Sequence, residues 1–440
     1  MINWDILLAA CLEMVLVLRE FGQKEVLTGN RNPSRRQADM RIADIIDAAF
    51  EKEADLDQNY RDIIWQIIEL LTDDPDPTAD SEIYGSTSMD PSNRSLNVVR
   101  GQALHAAIKY ALWVRRHLES LPDSAEQLSR GFDTMPEVRR VLEIHLDINN
   151  DPSLAIRSVY GQWFPWLVLI DEAWATKDAD QIFPEIEELE KYFLAAWYAF
   201  ISFSKAYKSS FIILSQKYRK AISFIGNQKA FKNFMANPDE ELAKHLMQLY
   251  WEGQLENDLN NDLLQSFWQK ADAKLTAFAI QFVGLTLGRT EGTIETPILN
   301  RLTAFWQSRL NINSPAETRN IDELSNFCYW FSSEKFDAKW SIEMLQKCLD
   351  LGALMIPQMH AIERLTELST GFPADALKCL DRLIRNDLQP MLISFWTKQI
   401  RTIITNAFNL MDADISHTAE KLIHFLGSKQ FYEFRDLLPE

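Results

Sequence analysis

The sequence predicts an all-α protein, built as a HEAT-like, irregular α-solenoid of stacked helical hairpins. Only 14 Gly and 16 Pro occur among 440 residues, too few for the frequent turns of a sandwich or barrel of short strands. Apolar residues instead recur at the 3.6-residue spacing of amphipathic helices. The 13 Trp and 25 Phe need many packing partners, which helices stacked in layers supply.

The clearest predicted helix pair lies in the first quarter of the chain. Over residues 61–71 the apolar side chains recur on one helical face, namely Ile63, Ile64, Ile67, Ile68 and Leu71. A second helix repeats the pattern with Leu104, Ile108, Ala111, Leu112 and Leu118. The intervening stretch 72–91 contains Pro75, Pro77 and Gly85, which predict an exposed, acidic loop. We expect the two helices to pack together.

Two segments share a pattern typical of repeat units. Asp90-Pro91-Ser92 leads to Val99-Arg100, and Asp151-Pro152-Ser153 leads to Ile156-Arg157. In each, we expect Asp to cap a helix and Pro to occupy its first turn, while Val/Ile-Arg resembles the second helix of a HEAT repeat. The two arginines are 57 positions apart, so the repeat is degenerate. Gly101 should mark a close helix approach, and Trp163 should fill the core between repeats.

The domain prediction divides the chain into two helical halves. Turn-forming residues interrupt the helical pattern at 237–238, 288–297, 311–315 and 371–373. We therefore predict a first half over 1–236, which carries the exposed loop 72–91, and a second half over 237–440. One continuous solenoid is the alternative, because no segment has the composition of a linker.

Charge and cysteine usage restrict the class of protein. The net charge of −18 argues against a general nucleic-acid binder. The cysteines, at 11, 328, 348 and 379, have no CxxC spacing, which fits a reducing cytoplasm better than a disulfide framework or a zinc ribbon. The apolar run 6–12 lacks a basic flank, and the run 163–170 is short. We therefore expect a cytoplasmic protein outside the membrane.

Two patterns of residues could bind a metal ion, but no motif of a catalytic centre occurs. HExxH, GxSxG and GxGxxG motifs do not occur, so we expect no catalytic residues and no cofactor. The loop carboxylates that could bind a hard cation are Asp73, Asp74, Asp76, Asp80 and Glu82, but Ala79 replaces the Gly of an EF-hand. His417, Glu420 and His424 would share a helix face, yet no fourth ligand accompanies them. A solvated loop and an ordinary helix face are the preferred interpretations.

A segment rich in basic and aromatic residues is the strongest candidate for binding. Residues 191–238 contain no Asp or Glu. This basic aromatic segment combines eight cations with many rings, a mixture that can stack bases or contact an acidic protein. The alternative is a buried aromatic stripe with a solvated basic face. The predicted partner-binding residues are Lys205, Tyr207, Lys208, Lys217, Tyr218, Arg219 and Lys220.

Four helical segments resemble a known class of proteins. They are 97–114 (NVVRGQALHAAIKYALWV), 151–167 (DPSLAIRSVYGQWFPWL), 190–207 (EKYFLAAWYAFISFSKAY) and 327–345 (FCYWFSSEKFDAKWSIEML). Together they resemble the C-terminal helical region of STAND-type NTPases, bacterial antiviral-defence proteins whose helical arrays sense a phage component. The shared motifs are structural, and no site residue carries over. Because GxxxxGK[ST] is absent, the resemblance implies that ATP hydrolysis resides in another part or chain.

These observations predict a non-catalytic helical-repeat module for protein interaction or sensing in antiviral defence. The expected partner is a protein, either a phage component or an NTPase or effector part or chain. One alternative is a metal-dependent hydrolase or nuclease that uses the carboxylates of the loop 73–82. Another is a module that contacts nucleic acid through the segment 191–238.

Overall fold

A computed structural model describes residues 3–28, 33–51, 56–78, 89–227, 236–255, 262–354, 358–387 and 390–439. These residues form helices and turns without any strand, which confirms the predicted all-α class. In this part of the chain, no helix has the length and apolar character needed to cross a bilayer.

The chain divides into two compact units, Met1–Leu242 and Ala243–Glu440. The first contains α1 (Trp4–Thr28), α2 (Pro33–Ala49), α3 (Arg61–Thr72), α4 (Pro91–Ser95), α5 (Val99–Glu119), α6 (Ser124–Ser129), α7 (Pro136–Leu146), α8 (Leu154–Ile170), α9 (Glu172–Ile182), α10 (Glu190–Phe203) and α11 (Lys208–Ser223). The boundary between the units falls inside α12 (Pro238–Trp251), a few residues after the predicted division between 236 and 237.

The second unit continues with a further ten helices among the described residues. They are α13 (Leu263–Lys270), α14 (Ala273–Arg289), α15 (Thr296–Asn313), α16 (Ile321–Ser332), α17 (Ala338–Asp350), α18 (Gln358–Leu368), α19 (Pro373–Asn386), α20 (Pro390–Phe395), α21 (Thr397–Phe408) and α22 (Ala413–Ser428). The predicted breaks at 288–297, 311–315 and 371–373 coincide with helix ends, because Gly, Asn and Pro interrupt the helical pattern there.

In the first unit, α3, α5 and α8 each pack against the second or third helix that follows in the chain. α3 packs on α5, α5 on α8, and α8 on α10. The predicted pairing of the first two helices is confirmed, since Ile64, Ile67 and Ile68 of α3 form a buried face. This order is typical of helical repeats, in which each layer covers the apolar face of the preceding one. The solenoid arrangement itself stays a prediction.

Close packing in this unit depends on two glycines. A Cβ at Gly101 of α5 would overlap the carbonyl oxygen of Ser95, which confirms the predicted close approach. A Cβ at Gly161 of α8 would overlap the carbonyl oxygen of Ala196 in α10. Any larger residue at either position would push the neighbouring backbone away, so these glycines set the helix spacing.

The two Asp-Pro turns differ in what their aspartates do. Asp90 caps α4 as predicted, because its carboxylate accepts hydrogen bonds from the backbone N–H groups of Ser92 and Asn93. The same prediction was wrong for Asp151. Ser153 caps α8 instead, and the Asp151 carboxylate is bound by Arg100 at 2.7 and 3.1 Å. A charged guanidinium that binds both carboxylate oxygens is a stronger partner for Asp151 than backbone N–H groups would be.

The second unit has an aromatic core and its own buried ion pair. Trp306 of α15 stacks on Phe327 of α16 at a centroid distance of 4.9 Å. Nearby, Arg309 donates to both carboxylate oxygens of Glu323 at 2.6 and 2.8 Å. Trp330 completes the cluster by donating its indole N–H to the carbonyl of Ile280, which connects α16 to α14. The core therefore combines ring packing with satisfied polar groups.

Candidate binding site

The basic aromatic segment forms the hairpin of α10 and α11, joined by residues 204–207. Every side chain from Tyr192 to Ile201 is buried, because α10 is apolar on all sides. Its rings pack with those of α11: Trp197 and Tyr218 meet edge to face at 4.9 Å. Most of the segment's aromatic residues are therefore core. Residues 228–235, including Lys229 and Lys232, lie outside the described residues.

Two of the predicted partner-binding residues are buried. Tyr218 lies in the aromatic core, and the side chain of Lys217 points to the carboxylates of Asp180 and Glu185, at 2.5 and 2.6 Å. Both residues follow Leu214 on the core-facing side of α11. Neither belongs to the exposed surface to which the sequence assigned them, and the Lys217 charge is already balanced.

Lys220 and Arg219 occupy an intermediate position on α11. The Lys220 ammonium donates to the carbonyl of Pro184 at 3.2 Å and lies 4.5 Å from the ring centroid of Phe193. Arg219 is half-exposed. These two side chains border the exposed face of the hairpin without forming its centre.

The exposed part of the segment surrounds the α10–α11 turn. We call it the hairpin surface, and it consists of Phe203, Lys205, Tyr207, Lys208 and Ile212. The large residues are well exposed, with 46% of Phe203, 46% of Tyr207 and 64% of Ile212 accessible. Among the described residues, no carboxylate lies within 4.0 Å of the Lys205 or Lys208 ammonium. Apolar area and unbalanced positive charge therefore occur together here.

A cavity of about 630 Å³ borders the inner side of the same hairpin. It lies among the ends of α7 and α9, the first turns of α8 and α10, and the middle of α11. The charged and aromatic side chains that line it include Asp147, Arg157, Asp180, Glu185, Tyr192 and Lys217. Gln216, an exposed residue of α11, lies at the edge of this cavity. It follows Ile212 of the hairpin surface by one helical turn.

Arg157 is the unusual residue of this cavity. It is only 3% exposed, and its Nη1 and Nη2 groups donate to the carbonyls of Gln181 and Leu146 at 2.9 and 2.7 Å. Within the described part of the chain no carboxylate lies within 4.0 Å of its guanidinium. Burial lowers the pKa of Arg157, since its charge is removed from water without a direct counter-charge.

The loop predicted to be exposed is partly buried where the structure describes it, since Asp76 and Pro77 are both buried. The carboxylates of its first part are also neutralised. Asp73 pairs with Arg19 at 2.9 Å, and Asp74 pairs with Arg35 at 3.2 Å. Asp76 receives Arg36 at 2.8 Å. Asp80 and Glu82, also proposed from sequence as cation ligands, lie outside the described residues. The three described carboxylates thus act in local ion pairs.

The histidine pattern near the C-terminus lies on an ordinary amphipathic helix. His417 and His424 of α22 are exposed, and His417 Nδ1 is 3.9 Å from Glu420 Oε2. Leu422 and Ile423 of the same helix are buried in the core. In the described ranges, no three His, Cys, Asp or Glu side chains are grouped so that they could hold a metal ion.

A larger cleft, of about 1030 Å³, lies within the second unit. It is lined by Tyr250, Trp268 and Phe305 and by the Arg309–Glu323 ion pair. The Arg309 guanidinium carbon lies 4.7 Å from the ring centroid of Trp268. Arg309 forms an ion pair with Glu323. Among the described residues that line this cleft, no buried charge therefore lacks a partner in the way that Arg157 does.

Comparisons of the chain with protein-family models, curated proteins and solved structures found no match.

Proposed function

We propose that this chain is a non-catalytic helical-repeat protein that binds an acidic protein partner through the hairpin surface. The observation that carries the proposal is the exposed group of Phe203, Tyr207 and Ile212 next to Lys205 and Lys208. Exposed aromatic and aliphatic side chains supply contact area, and unpaired cations select a partner of opposite charge.

The charge distribution supports a protein partner over a nucleic acid. The chain carries a net charge of −18, whereas residues 191–238 contain no acidic residue. An acidic partner is therefore attracted to this segment, while the net negative charge of the whole chain opposes its binding elsewhere. A phosphate backbone needs a larger basic cluster, and Lys217 is already neutralised by Asp180 and Glu185.

The resemblance of four helical segments to STAND-type NTPases supports a narrower role. We propose a cytoplasmic sensor in antiviral defence, whose partner is a phage component or an NTPase or effector chain. Stacked helices contact mainly their neighbours, so their outer faces remain available for recognition.

The proposal is tested by selecting ligands from a random library of synthetic peptides on the immobilised full chain. Selected peptides should combine Asp or Glu with apolar residues. The double variant Lys205→Glu/Lys208→Glu should bind them about tenfold more weakly or worse, because the attraction becomes repulsion. The matched control is Lys378→Glu/Lys421→Glu, which makes the same charge change at exposed helical positions of the second unit. Selection of no acidic peptide, or equal binding by both variants, contradicts the proposal.

A further inference from the structure

Ion pairs connect helices of the first unit to turns that come later in the chain. Arg36 of α2 binds Asp76, which follows α3, at 2.8 Å. Arg100 of α5 binds Asp151, which precedes α8, through two hydrogen bonds. Although burial opposes its ionisation, the hydrogen bond with His145 and the charge of Arg100 lower the pKa of Asp151. In both pairs the arginine binds a carboxylate that lies in a turn further along the chain.

Arg157 and Arg100 both lie in the first turn of a helix, α8 and α5. Asp151-Pro152-Ser153 directly precedes α8, whereas Asp90-Pro91-Ser92 begins the short helix α4 that comes before α5. Unlike Arg36 and Arg100, Arg157 forms no ion pair with a carboxylate of the described residues. Where Arg100 meets Asp151, Arg157 meets two backbone carbonyls and the cavity of about 630 Å³. A buried guanidinium has five donors in a planar fork, so two carbonyls leave donors for a further acceptor.

The acidic side chains around the cavity are held by other donors. Asp180 and Glu185 share the Lys217 ammonium. Asp147 accepts hydrogen bonds from the backbone N–H of Asn149 and from the side-chain amides of Asn149 and Asn150. Asp147 has only neutral partners but is half-buried, so water still reaches it. Among the described residues that line the cavity, the buried charge without a direct counter-charge is therefore that of Arg157, and a carboxylate would offset the cost of burying it.

We infer that this cavity binds the carboxylate of a Glu or Asp side chain of the acidic partner, with Arg157 receiving it as Arg100 receives Asp151. This inference rests on the proposed function, because the cavity adjoins the helix that carries the hairpin surface. The volume suits one side chain with its flanking backbone. The Tyr192 ring, 5.8 Å from the guanidinium carbon, helps to hold the fork in place.

The test uses two small probes and the full chain. N-acetyl-glutamate N-methylamide represents a Glu residue, and the glutamine analogue is its neutral counterpart. Calorimetry should give saturable binding of the glutamate probe only, and titration should shift the Nε–H nuclear magnetic resonance signal of Arg157. Arg157→Lys should weaken binding about tenfold, because the planar fork is lost.

A second variant keeps the test independent of Arg157 folding effects. Gln216→Trp adds bulk at the cavity edge from an exposed position, and Gln66→Trp makes the same change at an exposed position of α3. Gln216→Trp should weaken glutamate binding about tenfold, while Gln66→Trp should leave it unchanged. Binding of the glutamine probe as tight as that of glutamate, no saturable binding, or equal affinities in both tryptophan variants would overturn the inference.

The two proposals fail in different ways. If the selected peptides depend on Lys205 and Lys208 but the glutamate probe does not bind, the cavity inference is wrong and the proposed function stands. If the glutamate probe binds beside Arg157 but charge reversal on the hairpin surface has no effect on peptides, the proposed function is wrong.

Discussion

The indole N–H of Trp163 donates a hydrogen bond to Nδ1 of the buried His105, with the two nitrogens 2.7 Å apart. The other ring nitrogen of His105 lies 2.9 Å from the hydroxyl of Ser95, which donates to the carbonyl of Ser92 at 2.7 Å. Since Nδ1 accepts, the proton of the neutral ring is on Nε2. One polar chain therefore connects α8, α5 and α4. Trp163 is half-buried, so it lies at the edge of the core that the sequence predicted it to fill, and its hydrogen bond was not indicated by the sequence.

Removing this donor should destabilise the first unit. Trp163→Phe keeps an aromatic ring but leaves Nδ1 of His105 buried without a partner, which should cost about 1–3 kcal/mol of unfolding free energy. Urea denaturation followed by circular dichroism measures it. Trp166→Phe, at an exposed tryptophan of the same helix, should stay within about 0.5 kcal/mol of the parent. Equal costs for the two variants would contradict the role given to Trp163.

The buried histidine should make stability depend on pH. Burial, with a smaller contribution from Lys109, lowers the pKa of His105 to about 3 from an ordinary value of 6.5. Between these values the unfolded chain binds a proton that the folded chain does not, so stability falls as the pH falls from 6.5 toward 3. His105→Gln lacks this effect. Its destabilisation relative to the parent should therefore shrink as the pH is lowered from 6.5 to 4.5. A constant difference in unfolding free energy would count against a neutral, buried His105.

The buried ion pair of the second unit should respond strongly to loss of one charge. Glu323 is 1% exposed and binds Arg309 with both oxygens. Glu323→Gln leaves the guanidinium buried without a counter-charge, so we expect a loss of about 3–5 kcal/mol. Asp44→Asn, in the exposed pair with Arg41, should cost about 0–1 kcal/mol. Urea unfolding of both variants checks this, and a small effect at Glu323 would show that water reaches the pair.

Helix positions followed from the sequence, whereas side-chain partners across helices did not. The apolar spacing of Ile64, Ile67 and Ile68 predicted α3 because it is a local property. Lys217 illustrates the other case: its spacing from Leu214 is that of a core position, but its two carboxylates come from a different turn of the chain. Likewise, the stacking of whole helices determines that Asp151 binds Arg100 instead of capping α8. It also determines that Arg157 has no carboxylate of the described residues beside it.

The central claim is that the hairpin surface attracts an acidic protein by charge, and the association rate of a selected acidic peptide tests it most directly. Stopped-flow or biosensor measurements at several salt concentrations would compare the parent with Lys205→Glu/Lys208→Glu. We predict that the parent associates faster, and that its rate falls as salt is raised because screening weakens the attraction. In the variant the rate should be lower and should no longer fall with salt. Equal rates and equal salt dependence in the two proteins would contradict the claim.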